Sequence, residues 1–246
     1  MGYLSDIKNN KLTFCPHCNS TSICKYGFVR ERQRYKCKDC GKTFTNYTNK
    51  PWSKSKISIE VWDKYLRLMD NKHTLAECAR ILCINIKTAF SMRHRILNSI
   101  EEQGSILQVE AGIIRRIYYE NRKGNKNIEE PRKRYNLHFG VDILDNTFLD
   151  IDERSMSVQL VEDVMMKNVS DEAILHASNN RFINKAIGTR IKLDGVIKCL
   201  NVCREYSFYE LWHVDFRGVA TKYLYRYYTW YKKNTRVREC FYSRVI

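Results

Sequence analysis

Residues 105–116 read SILQVEAGIIRR. Apolar and polar side chains alternate from Ile106 through Leu107, Gln108 and Val109 to Glu110, and the alternation stops at Ala111-Gly112. Period-two alternation marks a half-buried strand. A carboxylate at the end of such a strand is either half of a metal site or an ordinary surface group. The reading of this stretch decides what kind of core follows it, and whether that core carries chemistry.

Downstream the pattern is mixed. Leu137–Ile143 and Thr147–Ile151 read as a hairpin around Asp145-Asn146. Ser157–Lys167 and Asn180–Ala186 read as helices. Glu172–Ala177 and Ile191–Leu193 read as strands, and Arg204–Tyr231 as Tyr-rich helix. Strand, hairpin, helix, strand, helix is an α/β order with a mixed sheet. The aromatic stripe near the end suits a core better than a base-stacking platform.

Upstream, Cys15-Pro16-His17-Cys18 and Cys37-Lys38-Asp39-Cys40 stand eighteen residues apart. Two C-x2-C turns at this separation are the spacing of a four-thiolate structural zinc site, with Cys15, Cys18, Cys37 and Cys40 as ligands. Gly41 supplies the positive φ such a turn often requires. The intervening KYGFVRERQRYKCK, residues 25–38, suits a basic hairpin, with Arg30, Arg32 and Arg34 as phosphate contacts. Residues 1–56 carry twelve Lys/Arg against three Asp/Glu. A solvated ribbon face is the bland alternative.

Pro51 ends that module. Val61, Trp62, Tyr65, Leu66 and Met69 then follow a helical period. Thr74-x-x-Glu77 is a capping box, and Asn85 is a second N-cap. A short helix with Leu75, Cys78, Ala79 and Leu82 inward is followed by one running from Ile86 to about Ile100. The second helix has Ala89, Phe90, Ile96 and Leu97 inward, and Lys87, Thr88, Ser91, Arg93, His94 and Arg95 outward. Two short helices, a tight turn and a basic second helix fit a helix-turn-helix DNA reader. The plain alternative is a helical linker.

The whole chain fits this picture. It has 246 residues, 43% of them apolar, which excludes wholesale disorder. Its net charge of +16 points to a polyanionic partner. No apolar run approaches the roughly 20 residues of a membrane span. The start lacks a signal-peptide h-region, so a cytoplasmic protein with reduced cysteines is expected.

Three blocks carry a family resemblance: RYKCKDCGKTFT (34–45), TLAECARILCINIKTAFSMRHRIL (74–97) and FRGVATKYLYRYYTWY (216–231). Together they resemble the ISXO-type transposases of bacterial insertion sequences over most of residues 12–233. The resemblance implies a multidomain α/β chain: a zinc ribbon over 12–50, a helix-turn-helix over 56–100 and a ribonuclease H-like mixed α/β core over 105–233. It implies double-stranded DNA at the element ends as partner, allows a homo-oligomer, and needs no membrane. It also implies two Mg²⁺ ions held by acidic residues. Carried over position by position, those ligands fall on Gly112, Ala177 and Cys203. Gly and Ala offer no ligand atom, and Cys is too soft for Mg²⁺. On this reading Arg115-Arg116 bring positive charge to the emptied site.

The sequence therefore leads to a transposase-family DNA-binding protein that holds structural zinc, does not bind Mg²⁺ and has lost catalysis. It would be a decaying copy or a retained regulator that competes for element ends; a zinc-ribbon/helix-turn-helix transcriptional regulator is an alternative. Two other readings stand beside it. One is a working nuclease using Glu110 with Asp171, Glu172 or Asp194. The other is a zinc-ribbon RNA-binding or polymerase-associated protein, against which the helix pair argues.

Overall fold

The computed structural model describes residues 12–29, 32–100, 105–121, 131–177, 180–188, 196–216 and 218–234. The chain divides into two compact units, Met1–Ile100 and Glu101–Ile246. It is mixed α/β: a small N-terminal sheet with a four-cysteine cluster, then helices, then a mixed four-stranded sheet. Among the described residues no helix is long and apolar enough to cross a membrane.

The first unit begins with β1 (Ile23–Val29), β2 (Arg32–Cys37) and β3 (Thr43–Phe44), antiparallel in that order. Its core is minimal. Cys15, Cys37 and Phe44 are buried, with Leu12, Ile23, Tyr35 and Cys40 packed against them. Tyr35 pairs with Phe44 across the strands and their rings stack at 5.9 Å. So few apolar groups cannot hold a sheet together unaided.

Three helices follow: α1 (Ile59–Asp70), α2 (Leu75–Ile81) and α3 (Ile86–Ser99). Trp62, Tyr65, Leu66 and Met69 of α1 are buried, as the 3.6-residue period requires. Thr74 and Glu77 form the reciprocal capping box at the start of α2. The Asn85 side chain accepts from the Lys87 backbone N–H at 2.8 Å to open α3. The Tyr65 hydroxyl donates to the Ala89 carbonyl at 2.6 Å, tying α1 to α3.

The second unit holds β4 (Ala111–Tyr119), β5 (Arg134–Asp142), β6 (Thr147–Asp152) and β7 (Leu175–Ala177), in spatial order β6-β5-β4-β7. The first three pair antiparallel and β7 lies parallel to β4. The β5–β6 turn falls at Asp145, which takes a positive φ of 61°. Asp142 organises that turn, accepting from the backbone N–H groups of Leu144 and Asn146.

The first strand differs from expectation. It starts at Ala111, where the alternation was read as ending, and not at Ile106. Its first four residues are all buried, so no polar residue marks its beginning until Arg115. The alternation in 106–109 arises otherwise: Leu107 is fully buried and makes an isolated parallel bridge to Val169, while Ile106 is exposed. The strand expected over Glu172–Ala177 shrinks to Leu175–Ala177. Residues 191–193, expected as a strand, lie outside the described residues.

Helices cover both faces of this sheet. On one face Ala111, Ile113, Phe148 and Leu175 meet α4 (Val158–Asn168) and α5 (Arg181–Ile187) through Leu160, Val161, Val164, Ile183 and Ile187. On the other, Phe139 sits against Tyr206 at 5.5 Å and Tyr228 at 5.7 Å, from α6 (Val196–Val214) and α7 (Leu224–Lys233). Behind them Tyr209, Trp212, Phe216, Tyr227, Trp230 and Tyr231 are all buried and pack ring to ring. The Tyr-rich C-terminal stripe is core.

Candidate functional site

The four cysteines of the two C-x2-C turns converge. Their Sγ atoms all lie within 4.8 Å of one another. Cys15 and Cys40 are 3.7 Å apart, and Cys18 and Cys37 are 3.6 Å apart. A tetrahedron of thiolates with metal–sulfur arms of about 2.3 Å has edges of about 3.8 Å. The donor set and the spacing therefore fit a closed, structural zinc ion.

The two turns are built alike. His17 N–H points to the Cys15 sulfur at 3.4 Å, and Cys40 N–H to the Cys37 sulfur at 3.5 Å. Asn19 N–H bonds the Cys15 carbonyl and Gly41 N–H the Cys37 carbonyl. Asn19 and Gly41 take φ of 59° and 69°. Sequence reading identified the glycine and missed its asparagine counterpart, although Asn is the residue type that best tolerates this region after Gly. The Cys40 backbone N–H helps hold the Cys37 thiol down to about 7, which favours the thiolate that a metal takes.

On the hairpin, Arg32 lies over the Tyr47 ring at 3.6 Å and Arg34 over the Tyr26 ring at 4.9 Å. Arg34 also donates from Nε to the Tyr26 carbonyl at 3.1 Å. Arg30 lies outside the described residues.

The second helix of the pair departs from its expected face. Lys87 and Ser91 are exposed, and Thr88, His94 and Arg95 are part-exposed. Arg93 is not outward: it is 1% exposed. Its guanidinium donates to the His73 carbonyl at 2.6 Å and to the Cys78 sulfur at 3.6 Å. Arg95 is also used locally, donating to the Ser53 carbonyl and lying over Trp62 at 5.5 Å. Phe90, expected inward, is 39% exposed and lies 4.2 Å from the His94 ring. Met92 takes its place in the interior.

The positions expected to have lost Mg²⁺ ligands do not fall together as predicted. Gly112 pairs across the parallel strands with His176, whereas Ala177 pairs with Ile113. Adjacent residues of a strand face opposite sides, so the β7 position on Gly112's side is His176 and not Ala177. Cys203 lies further along, 4.0 Å from the Arg116 guanidinium. Arg116 shares Gly112's side of the strand and lies over the Tyr206 ring at 5.7 Å. Arg115 is on the other side, donating twice to Asn136 Oδ1 at 2.9 and 2.7 Å.

Sequence reading missed His176. Its Nε2 lies 2.8 Å from Glu110 Oε1, and its side chain is 1% exposed against 19% for the glutamate. Glu110 is thus engaged by an imidazole rather than standing open as one ligand of an acidic set. Asp171 and Glu172 are exposed, and Asp194 lies outside the described residues. Among the described residues, the four cysteines are the group of three or more His, Cys, Asp or Glu donors at metal-binding separation. Glycine, a paired imidazole and a thiol do not fit Mg²⁺, which takes hard oxygen ligands.

No protein-family model matches the chain. A stretch of 102 residues is 28% identical to an uncharacterized protein in transposable element ISH50 of Halobacterium salinarum. The match covers 40% of this chain and 34% of that protein, so it spans about a third of the relative's length.

Proposed function

We propose that this protein is a DNA-binding member of the insertion-sequence transposases whose phosphodiester-cleaving site has been emptied. The similarity to a protein carried by a transposable element supports the setting. The four-thiolate cluster supports a zinc ribbon. The capped pair α2–α3, with Lys87 and Ser91 exposed near the start of the second helix, supports a helix-turn-helix. The order β6-β5-β4-β7, with β7 parallel to β4 and helices on both faces, supports a ribonuclease H-like core.

The observation that carries the loss of chemistry is the register around Gly112. In two-metal cleavage, carboxylates on neighbouring strands bring hard oxygens to one point. Here the neighbouring strand positions are Gly112 and His176, and the imidazole is bonded to Glu110. What remains is binding. Phosphates would be met by Arg32 and Arg34, and base edges by the exposed start of α3. A substrate-competent relative would be hindered wherever this chain covers the same ends.

Two measurements test this. Duplex DNA should be bound with an affinity that falls steeply as salt rises, by a slope of about −0.9 per phosphate neutralised. The same preparation should leave supercoiled DNA uncut in Mg²⁺ or Mn²⁺. Nicking above a protein-free control would show that the core is a working nuclease.

A further inference from the structure

The β1–β2 hairpin holds a feature that phosphate contact does not explain. Phe28 is 70% exposed, Tyr26 46% and Val29 42%. Large apolar rings left in water on a short ribbon have no folding role. The metal-centred core uses Cys15, Cys37 and Phe44 instead.

The hairpin presents these rings by a specific device. Its register shifts between Lys25 and Phe28, so that Tyr26 and Gly27 together stand opposite Arg34. Gly27 takes φ of +70°, which a side chain would resist. The carbonyls exposed by this bulge are taken up: Arg34 Nε donates to that of Tyr26 at 3.1 Å, and Gln33 Nε2 to that of Gly27 at 2.9 Å. The bulge resets the alternation. Tyr26 falls on the side of Arg34 and Lys36, which lie 4.9 and 5.4 Å from its ring, and Phe28 falls on the side of Gln33. A narrow ribbon therefore carries an aromatic ring on each side.

The charge around those rings selects the partner. The described residues of β1 and β2 include Lys25, Arg32, Arg34 and Lys36 and no acidic residue. The occupant must be anionic and must also offer flat apolar faces. Nucleic acid does both, but only where bases are not already stacked on one another. Intact duplex shows base edges in its grooves and hides the faces. A side chain such as Phe reaches a face by entering an opened or kinked step.

We propose that the hairpin is a stacking site for unpaired or unstacked bases, with Phe28 as the stacking ring and Arg34 and Lys36 on the flanking phosphates. It would direct the protein to gapped or distorted DNA in preference to perfect duplex. This rests on the DNA-binding reading above and adds a substrate class to it.

The test uses the full zinc-loaded chain and two fluorescent DNAs, a perfect duplex and the same duplex with a short central single-stranded gap. Wild type should bind the gapped DNA about ten-fold more tightly, in line with alanine effects at stacked bases. Phe28→Ala should bring that ratio to about one while zinc content and duplex affinity stay unchanged. Phe28→Trp should keep it. Lys36→Ala should weaken both DNAs alike and lower the salt slope by about one. If wild type and Phe28→Ala show the same ratio, or Phe28→Trp loses the preference, the stacking site is overturned while DNA binding stands. If wild type binds neither DNA, the functional reading fails with it. Phe28-dependent binding to anionic phospholipid vesicles in place of DNA would make the hairpin a membrane contact and overturn the proposal.

Discussion

Arg93 shows how a single residue can be misplaced by its chemistry. The buried positions of α3 are Ala89, Met92, Arg93, Ile96 and Leu97. Their spacing is that of one helical face, so the period itself places Arg93 inside. Reading by residue type moved it outside, because an arginine is rarely buried unless its donors are met. Here Nη2 donates to the His73 carbonyl and to the Cys78 sulfur, which meets part of that demand. Arg93→Ala should therefore cost about 2 kcal/mol of stability, as lost charge-assisted hydrogen bonds do, visible as a lower urea midpoint. Lys87→Ala should leave the midpoint alone and weaken DNA binding. Thr74→Ala, which removes the capping box, should cost about 1 kcal/mol in the same measurement.

Two histidines set an acid limit. His138 is fully buried, and neither ring nitrogen has a hydrogen-bond partner among the described residues. Burial pushes its pKa down to about 4, and burial does the same to His213. The unfolded chain takes up these protons near 6.5. The stability gained by keeping both rings neutral is therefore full above about pH 6.5 and is lost as pH falls toward 4. Urea midpoints taken across that range should fall, and His138→Gln should flatten part of the fall. A profile unchanged by that substitution would remove His138 as a cause.

Among elements, the small sheet and the large one are held by different means. A zinc ion held by the four cysteines would contribute on the order of 10 kcal/mol to the small sheet, as in such modules. Cys37→Ala, or a strong zinc chelator, should melt β1–β3, seen as loss of hairpin amide protection, and leave the second unit's sheet protected. In that sheet, Gly140 of β5 lies under the Phe148 ring, with Leu107 Cδ1 2.9 Å from where a Cβ would sit. Gly140→Ala should strain this packing by about 1–3 kcal/mol, read as a lower melting temperature.

The same contrast explains what could be read in advance. The cysteine turns, the capping box and the Asp145 turn were legible because each is a local rule acting over a few residues. The start of β4 was not. Both faces of Ala111–Ile114 are covered, and a doubly covered strand has no polar beat to announce it. The true partner of Gly112 was also hidden, because it depends on the register between strands some sixty residues apart, and a slip of one position exchanges His176 for Ala177.

For the whole molecule, the charge of +16 gives direction without selectivity. On the proposed function, selectivity would come from the exposed part of α3 and from the hairpin. A chain with Lys87, Arg32 and Arg34 all changed to Ala should bind duplex DNA with a salt slope smaller by about three if each neutralises one phosphate. On the proposed function, such a chain would compete for DNA sites without altering them.

The Glu110–His176 contact bears on whether a metal site could form around Gly112 by one substitution. An aspartate at position 112 would stand across the parallel strands from His176, an imidazole already bonded to Glu110. That carboxylate would meet an imidazole where a metal site needs a second hard oxygen ligand. On the proposed function, a change at position 112 alone would therefore not restore a metal site. A metal site there would need position 176 to change together with 112. An imidazole seated in this way would hold a chain of the proposed kind to binding.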